Sequence, residues 1–305
     1  MMKKKVVLIL VAIFLVISLS ILVFATEKNS NSTTTLNVVS IDNTYTAINT
    51  DDISSLTVNK KEDIVNIANS YLQKFETEAK SIGINDDITI EYNHSGLQAR
   101  NEIMLDTKDY AFTINADTGK LTNYSKHMFS FPKCELSREQ IELIANEIFK
   151  KIDICNTDNY KMIYLEEYDE GIWWVCFAKK YDDLVNIGEY VKFHFIPETK
   201  EIWVLGTDNI KFDNNEVLIS EETARKIASQ YLEKSVATDM KVYLDIVNPN
   251  EFLYESPNEN EIHVFAQYMR KAYVCEFNNE GKTQVYVDCS TGEILGGSLI
   301  LGGEF

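Results

Sequence analysis

Ile67-Ala68-Asn69-Ser70-Tyr71-Leu72-Gln73-Lys74, Ile144-Ala145-Asn146-Glu147-Ile148-Phe149-Lys150-Lys151 and Ile227-Ala228-Ser229-Gln230-Tyr231-Leu232-Glu233-Lys234 are one pattern written three times. The spacings are 77 residues (144 minus 67) and 83 residues (227 minus 144). In each, apolar residues recur at i, i+1, i+4 and i+5, which places them in one stripe on a helix. A start signal precedes each stripe: Asn59 with Glu62, Ser137 with Gln140, and Ser220 with Glu221 and Glu222. The central Ala of each stripe suits close approach to a sheet.

Strand-like sequence comes after each helix, and the three stretches end alike. The first ends Phe112-Thr113-Ile114-Asn115-Ala116-Asp117-Thr118-Gly119-Lys120-Leu121, and the third ends Val285-Tyr286-Val287-Asp288-Cys289-Ser290-Thr291-Gly292-Glu293-Ile294. An Asn or Asp accepts backbone N–H bonds, a Gly takes positive φ, and a new strand starts, as in a β-hairpin. Asn115, Thr118, Gly119, Asp288, Thr291 and Gly292 therefore read as a structural turn signature. The second stretch carries Ile196 and Lys200 at the Asn/Asp and Gly positions, so its turn is expected to be built differently. One strand earlier, Trp174-Val175-Cys176-Phe177 aligns with Tyr273-Val274-Cys275-Glu276, and Asn278-Asn279-Glu280-Gly281 reads as a hairpin loop. The expected fold is α+β, with three tandem units at 59–125, 137–208 (divergent) and 219–298. Each unit packs one helix on a short antiparallel sheet.

A helix with a central Ala, followed by strands ending in an Asp-x-x-Thr-Gly-Glu hairpin, resembles the PepSY domain. Asp288, Thr291, Gly292 and Glu293 all fit that pattern, Asn115 replaces the Asp in the first unit, and Ile196 and Lys200 depart from it. The resemblance covers about residues 60–298. PepSY units occur in propeptides of thermolysin-like peptidases and as tandem repeats behind a membrane segment, as in YpeB-type germination proteins. The resemblance implies a non-catalytic module that binds or restrains a peptidase or another cell-envelope enzyme, without a cofactor.

The chain has 305 residues, 45% hydrophobic and 25% charged, with only 12 Gly and 4 Pro, which excludes collagenous or largely disordered chains. Its formal charge is -18, and beyond Lys3, Lys4 and Lys5 the balance is 26 basic minus 47 acidic residues, or -21. Such a surface repels phosphate backbones, so no nucleic-acid partner is expected. Val6–Ala25 is apolar except for Ser18 and Ser20, a length that suits a spanning helix. Val23-Phe24-Ala25 also has the small residues of a signal-peptidase site. Either way, the basic end stays inside and the body is expected outside the membrane: anchored through residues 6–25, or secreted after cleavage following Ala25. Residues 26–58 read as a linker, with a short strand near Leu36–Ile41.

Site chemistry is sparse. His94, His127, His194 and His263 show no metal-ligand spacing, and His194, between Phe193 and Phe195, reads as a surface histidine on the polar side of a strand. No nucleophile elbow or phosphate-binding Gly loop occurs, so neither catalytic residues nor a metal are assigned. Glu166–Glu170 and Asp208–Glu216 read as solvated acidic loops without the EF-hand pattern. The five Cys allow one free thiol and two bridges in 15 ways (5 times 3). Cys134 and Cys155 flank the second helix, and the alignment puts Cys176 and Cys275 at equivalent positions facing a helix. On 172–178, Ile172, Trp174 and Cys176 share one face and Trp173, Val175 and Phe177 the other. A strand apolar on both faces packs on its own helix and on something more, either a neighbouring unit or a partner. Trp173, Phe177 and Trp203 are the candidate partner-binding residues, set beside a sheet edge open to strand addition. The expected function is an extracytoplasmic binding module that inhibits, chaperones or stabilises a cell-envelope peptidase or peptidoglycan hydrolase. The alternative is an exported hydrolase with paired carboxylates.

Overall fold

The computed structural model describes residues 45–48, 50–76, 78–95, 100–127, 133–169, 171–232, 240–250, 268–278 and 281–301. The apolar segment 6–25, the strand expected near 36–41 and His263 lie outside these residues. Among the described residues no helix is long and apolar enough to cross a membrane.

The architecture is α+β. Helices α1 (Lys61–Phe75), α2 (Arg138–Ile152) and α3 (Glu221–Tyr231) are each followed by antiparallel strands. Strands β2 (Thr89–Ser95), β3 (Arg100–Asp106), β4 (Tyr110–Asn115) and β5 (Leu121–Lys126) follow α1. Strands β6 (Tyr160–Asp169), β7 (Ile172–Tyr181), β8 (Leu184–Ile196) and β9 (Glu201–Asn209) follow α2. Strands β11 (Lys241–Val247), β12 (Tyr268–Asn278), β13 (Gly281–Asp288) and β14 (Ile294–Leu301) follow α3, with β1 (Tyr45–Ala47) and β10 (Lys211–Asp213) as short additions.

The three modules do not make three separate bodies. The first two share one nine-stranded sheet, ordered β1-β2-β3-β4-β5-β9-β8-β7-β6, and the third forms a five-stranded sheet. The chain accordingly divides into two compact units, one on each sheet. The join is β5 against β9, antiparallel, with Asn123 opposite Gly206, Tyr124 opposite Leu205 and Ser125 opposite Val204. Two last strands that would otherwise be free edges satisfy each other.

The first two helices turn the stripe read from the sequence to the core, whereas in the third Ala228 is buried and Tyr231 is exposed. In the first two modules Ala68, Leu72 and Phe75 of α1 and Ala145, Ile148 and Phe149 of α2 meet one face of the nine-stranded sheet in a shared core. Ala224 and Ala228 of α3 meet Cys275, Val285 and Val287. The starts differ in detail. Ser137 and Gln140 form a capping box and Ser220 accepts a bond from Thr223 N. Asn59 caps nothing: Lys60 is the cap residue of α1, while Asn59 donates its amide to the carbonyls of Ser54 and Leu56. That contact belongs to a larger correction. Residues 45–58 are part of the fold rather than a linker: β1 pairs with β2, Thr50–Ile53 is a one-turn helix, and Leu56 and Val58 are buried.

The hairpin turns fix the strand ends. Asn115 Oδ1 accepts from Asp117 N at 3.0 Å and Thr118 N at 2.9 Å, and Gly119 has φ 68°. Asp288 Oδ1 accepts from Ser290 N at 2.7 Å and Thr291 N at 2.9 Å, and Gly292 has φ 78°. The second module's turn differs in its side chains, since Ile196 offers no acceptor in place of Asn115 or Asp288, but not in its backbone. Lys200 takes φ 59°, and its N–H reaches Ile196 O at 2.8 Å, as Gly119 reaches Asn115 O and Gly292 reaches Asp288 O. The rest of the hairpin imposes the turn, and a residue with a Cβ bears the left-handed backbone.

A β-bulge accompanies every turn. Register shifts fall between Thr113 and Ile114, between His194 and Phe195, and between Tyr286 and Val287. Thr122, Trp203 and Leu295 are the extra residues, re-aimed at the same place in each module.

Candidate functional site

The common bulge sets a residue-by-residue equivalence among the modules. Ile114, Phe195 and Val287 correspond, and their cross-strand partners are Ile103, Trp173 and Tyr273. The next residues along, Met104, Trp174 and Val274, therefore share the opposite face, as do Leu105, Val175 and Cys275 the first. The sequence alignment of Cys176 with Cys275 is one residue out of step, and a one-residue slip exchanges faces. Cys275 lies in the core under α3. Cys176 opens onto the helix-free face, directly across from Lys192. All five Cys are free thiols.

Two of the three expected partner-binding residues fall on the wrong side. Phe177 is 2% exposed and stacks on Phe149 of α2, ring centroids 4.0 Å apart and planes 6° apart. It is a core residue. Trp173 occupies the position of Ile103, packs against the same core, and has the Arg138 guanidinium 6.0 Å from its ring centroid. None of the three stands on a free edge, since β7, with Trp173 and Phe177, lies between β6 and β8, and β9, with Trp203, lies between β5 and β8. Strand β6 is the edge, bulged at Met162/Tyr164 and Glu167/Asp169. Most of the expected acidic loop lies in that strand, as Glu166–Asp169. Asp208 is no loop residue either: it sits on β9, paired with Arg100.

Trp203 is placed differently. The bulge turns it onto the helix-free face, where it joins Tyr164 and Tyr168 of β6, Trp174 of β7 and His194 of β8. Ring centroids are 4.6 Å apart for Tyr164–Trp174, 4.6 Å for Tyr168–His194, 5.6 Å for Trp174–His194 and 5.7 Å for His194–Trp203. Ile172 and Ile196, buried outside the helix-side core, belong to the same face. His194 is not a surface histidine: only 4% of it is exposed. Burial pushes its imidazole down to about 4, with the Lys192 cation adding to the effect. The alternation of residues 193–195 gave its face correctly; the rings that cover it come from three other strands. The indole N–H groups of Trp173 and Trp174 are buried without an acceptor among the described residues, an uncommon arrangement for a protein interior.

Beside the aromatic group runs a charged row. Lys192, opposite Gly206, is held below its usual range by burial, against the opposing pull of Cys176 and Asp208. Burial raises Asp208, against the pull of Arg100. Arg100 bonds Glu102 at 2.7 Å and Asp208 at 3.4 Å, bridging β3 and β9 across the two strands between them. The Arg100 cation bridges a buried and a half-buried carboxylate, a structural ion-pair arrangement in which Glu102 Oε2 has no donor among the described residues. Burial drives the Cys176 thiol up to about 11, against Lys192, so it is a poor nucleophile near neutrality. A shallow depression of about 410 Å³ lies between β1, β3 and the one-turn helix, and Asp52 is the single carboxylate lining it. Among the described residues no three His, Cys, Asp or Glu side chains converge as a metal site requires.

The fold and this face together describe a class: antiparallel sheets helix-covered on one side, with an aromatic layer on the other side of the second module. No family model matches the chain, and no curated protein matches it. Among solved structures it is similar to the Bacillus megaterium YpeB C-terminal domain, at 13% identity and a TM-score of 0.40, over 84% of this chain and 99% of that one.

Proposed function

We infer that this chain is a non-catalytic extracytoplasmic binding module, held at the membrane through residues 6–25 or released after Ala25. Its partner is a cell-envelope protein, a peptidase or peptidoglycan hydrolase, which it restrains, chaperones or stabilises. One observation carries the reading. The helix-free face of the second module presents Trp174, Trp203 and Tyr168, with Tyr168 39% exposed, at a place where none of the described helices lies. Partly exposed Trp and Tyr on a rigid sheet are the side chains that most often anchor protein interfaces. The resemblance of the turn and helix patterns to PepSY units supports the same reading from the sequence side.

The test is co-purification of the full-length protein from membranes of its own cells, with the captured protein identified, purified and titrated back. Trp203→Ala is expected to weaken that defined complex at least about tenfold. Unchanged affinity, or hydrolysis of peptide or glycan by the purified chain alone, overturns the reading. Protease added to wall-stripped cells is expected to digest the body of the protein.

A further inference from the structure

We propose that the Tyr164–Glu166–Trp174 corner of this face is a subsite for a cationic side chain, arginine above all, on an extended basic polypeptide partner. This deepens the binding reading above and rests on it. Tyr164 and Glu166 lie on the same face of β6, because their cross-strand partners on β7 are Cys176 and Trp174. Glu166 is exposed, and the Tyr164 hydroxyl donates to its Oε2 at 2.5 Å, so the carboxylate is tied to a ring that itself lies 4.6 Å, centroid to centroid, from Trp174. Its other oxygen, Oε1, has no donor among the described residues. A planar guanidinium laid against the indole meets a negative ring face and a fixed carboxylate together, and that combination selects Arg over neutral side chains.

The chain uses the same chemistry on itself elsewhere. Arg138 lies over Trp173 on the other face of this sheet, and Lys192 lies over Tyr190 at 5.1 Å. Among the described residues no Lys or Arg lies over Tyr164 or Trp174. Lys192, on the same face, leans its stem towards β9: its Cε is 3.3 Å from where a Cβ on Gly206 would stand. It is directed away from Glu166. A formal charge of -18 draws a basic segment in from a distance, and the ring-plus-carboxylate corner then reads it.

The experiment titrates full-length protein with an extended peptide alternating Arg and Gly, followed by tryptophan fluorescence, against the same peptide with citrulline for arginine. Citrulline keeps the planar shape, removes the charge and exchanges one terminal nitrogen for a carbonyl oxygen. The arginine peptide is expected to bind about tenfold tighter than the citrulline peptide. Added salt weakens it, and Glu166→Gln, an exposed change that leaves the fold intact, weakens it several-fold. Trp174→Phe weakens it while preserving an aromatic ring in the packing. Equal binding of the two peptides overturns the proposal, as does arginine binding that ignores both Glu166→Gln and Trp174→Phe. The two readings separate cleanly. If Trp203→Ala destroys the envelope complex but citrulline equals arginine, the cation subsite fails and the binding module stands. If arginine binds here but no envelope partner uses the face, the subsite stands and the module reading fails.

Discussion

Lys200 sits at the left-handed corner of the second hairpin turn, and its ammonium reaches Glu147 of α2 at 2.6 Å. In the other two modules that corner is Gly119 or Gly292, which lies against Ile67 or Ile227 of the local helix. The second module thus keeps the backbone of the turn and places a long, exposed ion pair where the other two have a glycine beside an isoleucine of the helix. Such a pair contributes at most about 1 kcal/mol, against about 1–2 kcal/mol for the left-handed conformation of a residue with a Cβ.

Lys200→Gly is therefore expected to stabilise the protein, by about 0.5–1 kcal/mol after the greater freedom of glycine in the unfolded chain is counted. A higher urea midpoint at unchanged slope checks it. The reverse change, Gly292→Ala, is expected to destabilise by more than about 1 kcal/mol on the same scale, since φ is 78° and the new Cβ stands 3.1 Å from Ile227 Cδ1.

The turn carboxylate of the third module is expected to matter far more than its counterpart in the first. Asp288 is 1% exposed, pairs with Arg270, and caps two backbone N–H groups. Arg270 also bonds Asp213 at 2.9 Å, and Asn215 ties the neighbouring strand to the turn by donating to Lys271 O. Asp288→Ala leaves a guanidinium half-stranded and is expected to cost about 3–5 kcal/mol. Asn115→Ala loses only the cap, about 1 kcal/mol. Equal losses in chemical denaturation would show that the Arg270 contact contributes nothing.

His194 gives the protein an acid liability. Its folded form favours neutral imidazole, with the ordinary value of 6.5 depressed to about 4 by burial and by Lys192. The unfolded chain binds the proton first as pH falls, so the stability is whole above about 6.5 and is lost progressively as pH drops towards about 4. The span corresponds to about 3 kcal/mol, from which the attraction of the surrounding rings for a cation removes about 1. His194→Phe is expected to flatten the stability profile over that window by about 2 kcal/mol relative to the unaltered chain. Parallel profiles for the two proteins would mean that His194 does not titrate differently on folding.

Thiol chemistry separates the two faces that sequence alignment confuses. Cys176 faces away from α2 and, with its thiol raised to about 11, is expected to react with maleimide slowly but without unfolding, faster as pH rises towards that value. Cys275, fully buried and raised to about 12, is expected to react only as fast as the third module opens. Labelling at both sites with the same dependence on denaturant would contradict the face assignment.

The helices and turns were legible because they depend on nearby residues. Stripes at i, i+1, i+4 and i+5 record the face of α1, α2 and, Tyr231 apart, α3, and the Asn or Asp with Gly at fixed offset records the hairpins. What escaped depends on strands far apart in sequence. The bulges at Thr122, Trp203 and Leu295 carry no local signal, and without them Trp174-Val175-Cys176-Phe177 aligns one residue out of register. The burial of His194 needs Tyr168, Trp174 and Trp203 from three strands. The fusion of two modules into one sheet depends on β5 meeting β9, about 80 residues later in the chain, a pairing no propensity encodes. Lys200 shows the opposite error: a local rule broken in the sequence and enforced by the hairpin around it.

Phe177 and Trp203 provide the sharpest separation of packing from recognition. Both are aromatic, both lie in the second module, and a reading by hydrophobicity alone puts them in one patch. Phe177 is sandwiched between Phe149 of α2 and Phe193 of β8 with nearly parallel rings, 6° and 16° apart. Phe177→Ala opens a cavity under the helix, where neither a rigid sheet nor a packed helix can close it, and is expected to cost about 3–5 kcal/mol. Its effect on partner binding should then follow the fraction folded and vanish once affinity is expressed per folded molecule. Trp203 projects from a bulge, half-buried, with Tyr168 at 6.2 Å and His194 at 5.7 Å as its ring neighbours. Trp203→Ala is expected to cost about 1 kcal/mol in stability while weakening the defined complex at least tenfold. Paired measurement of urea midpoint and complex affinity for the two variants decides the matter. Loss of affinity in Phe177→Ala with the fold intact, or full affinity in Trp203→Ala, would move the interface to the helix side of the sheet.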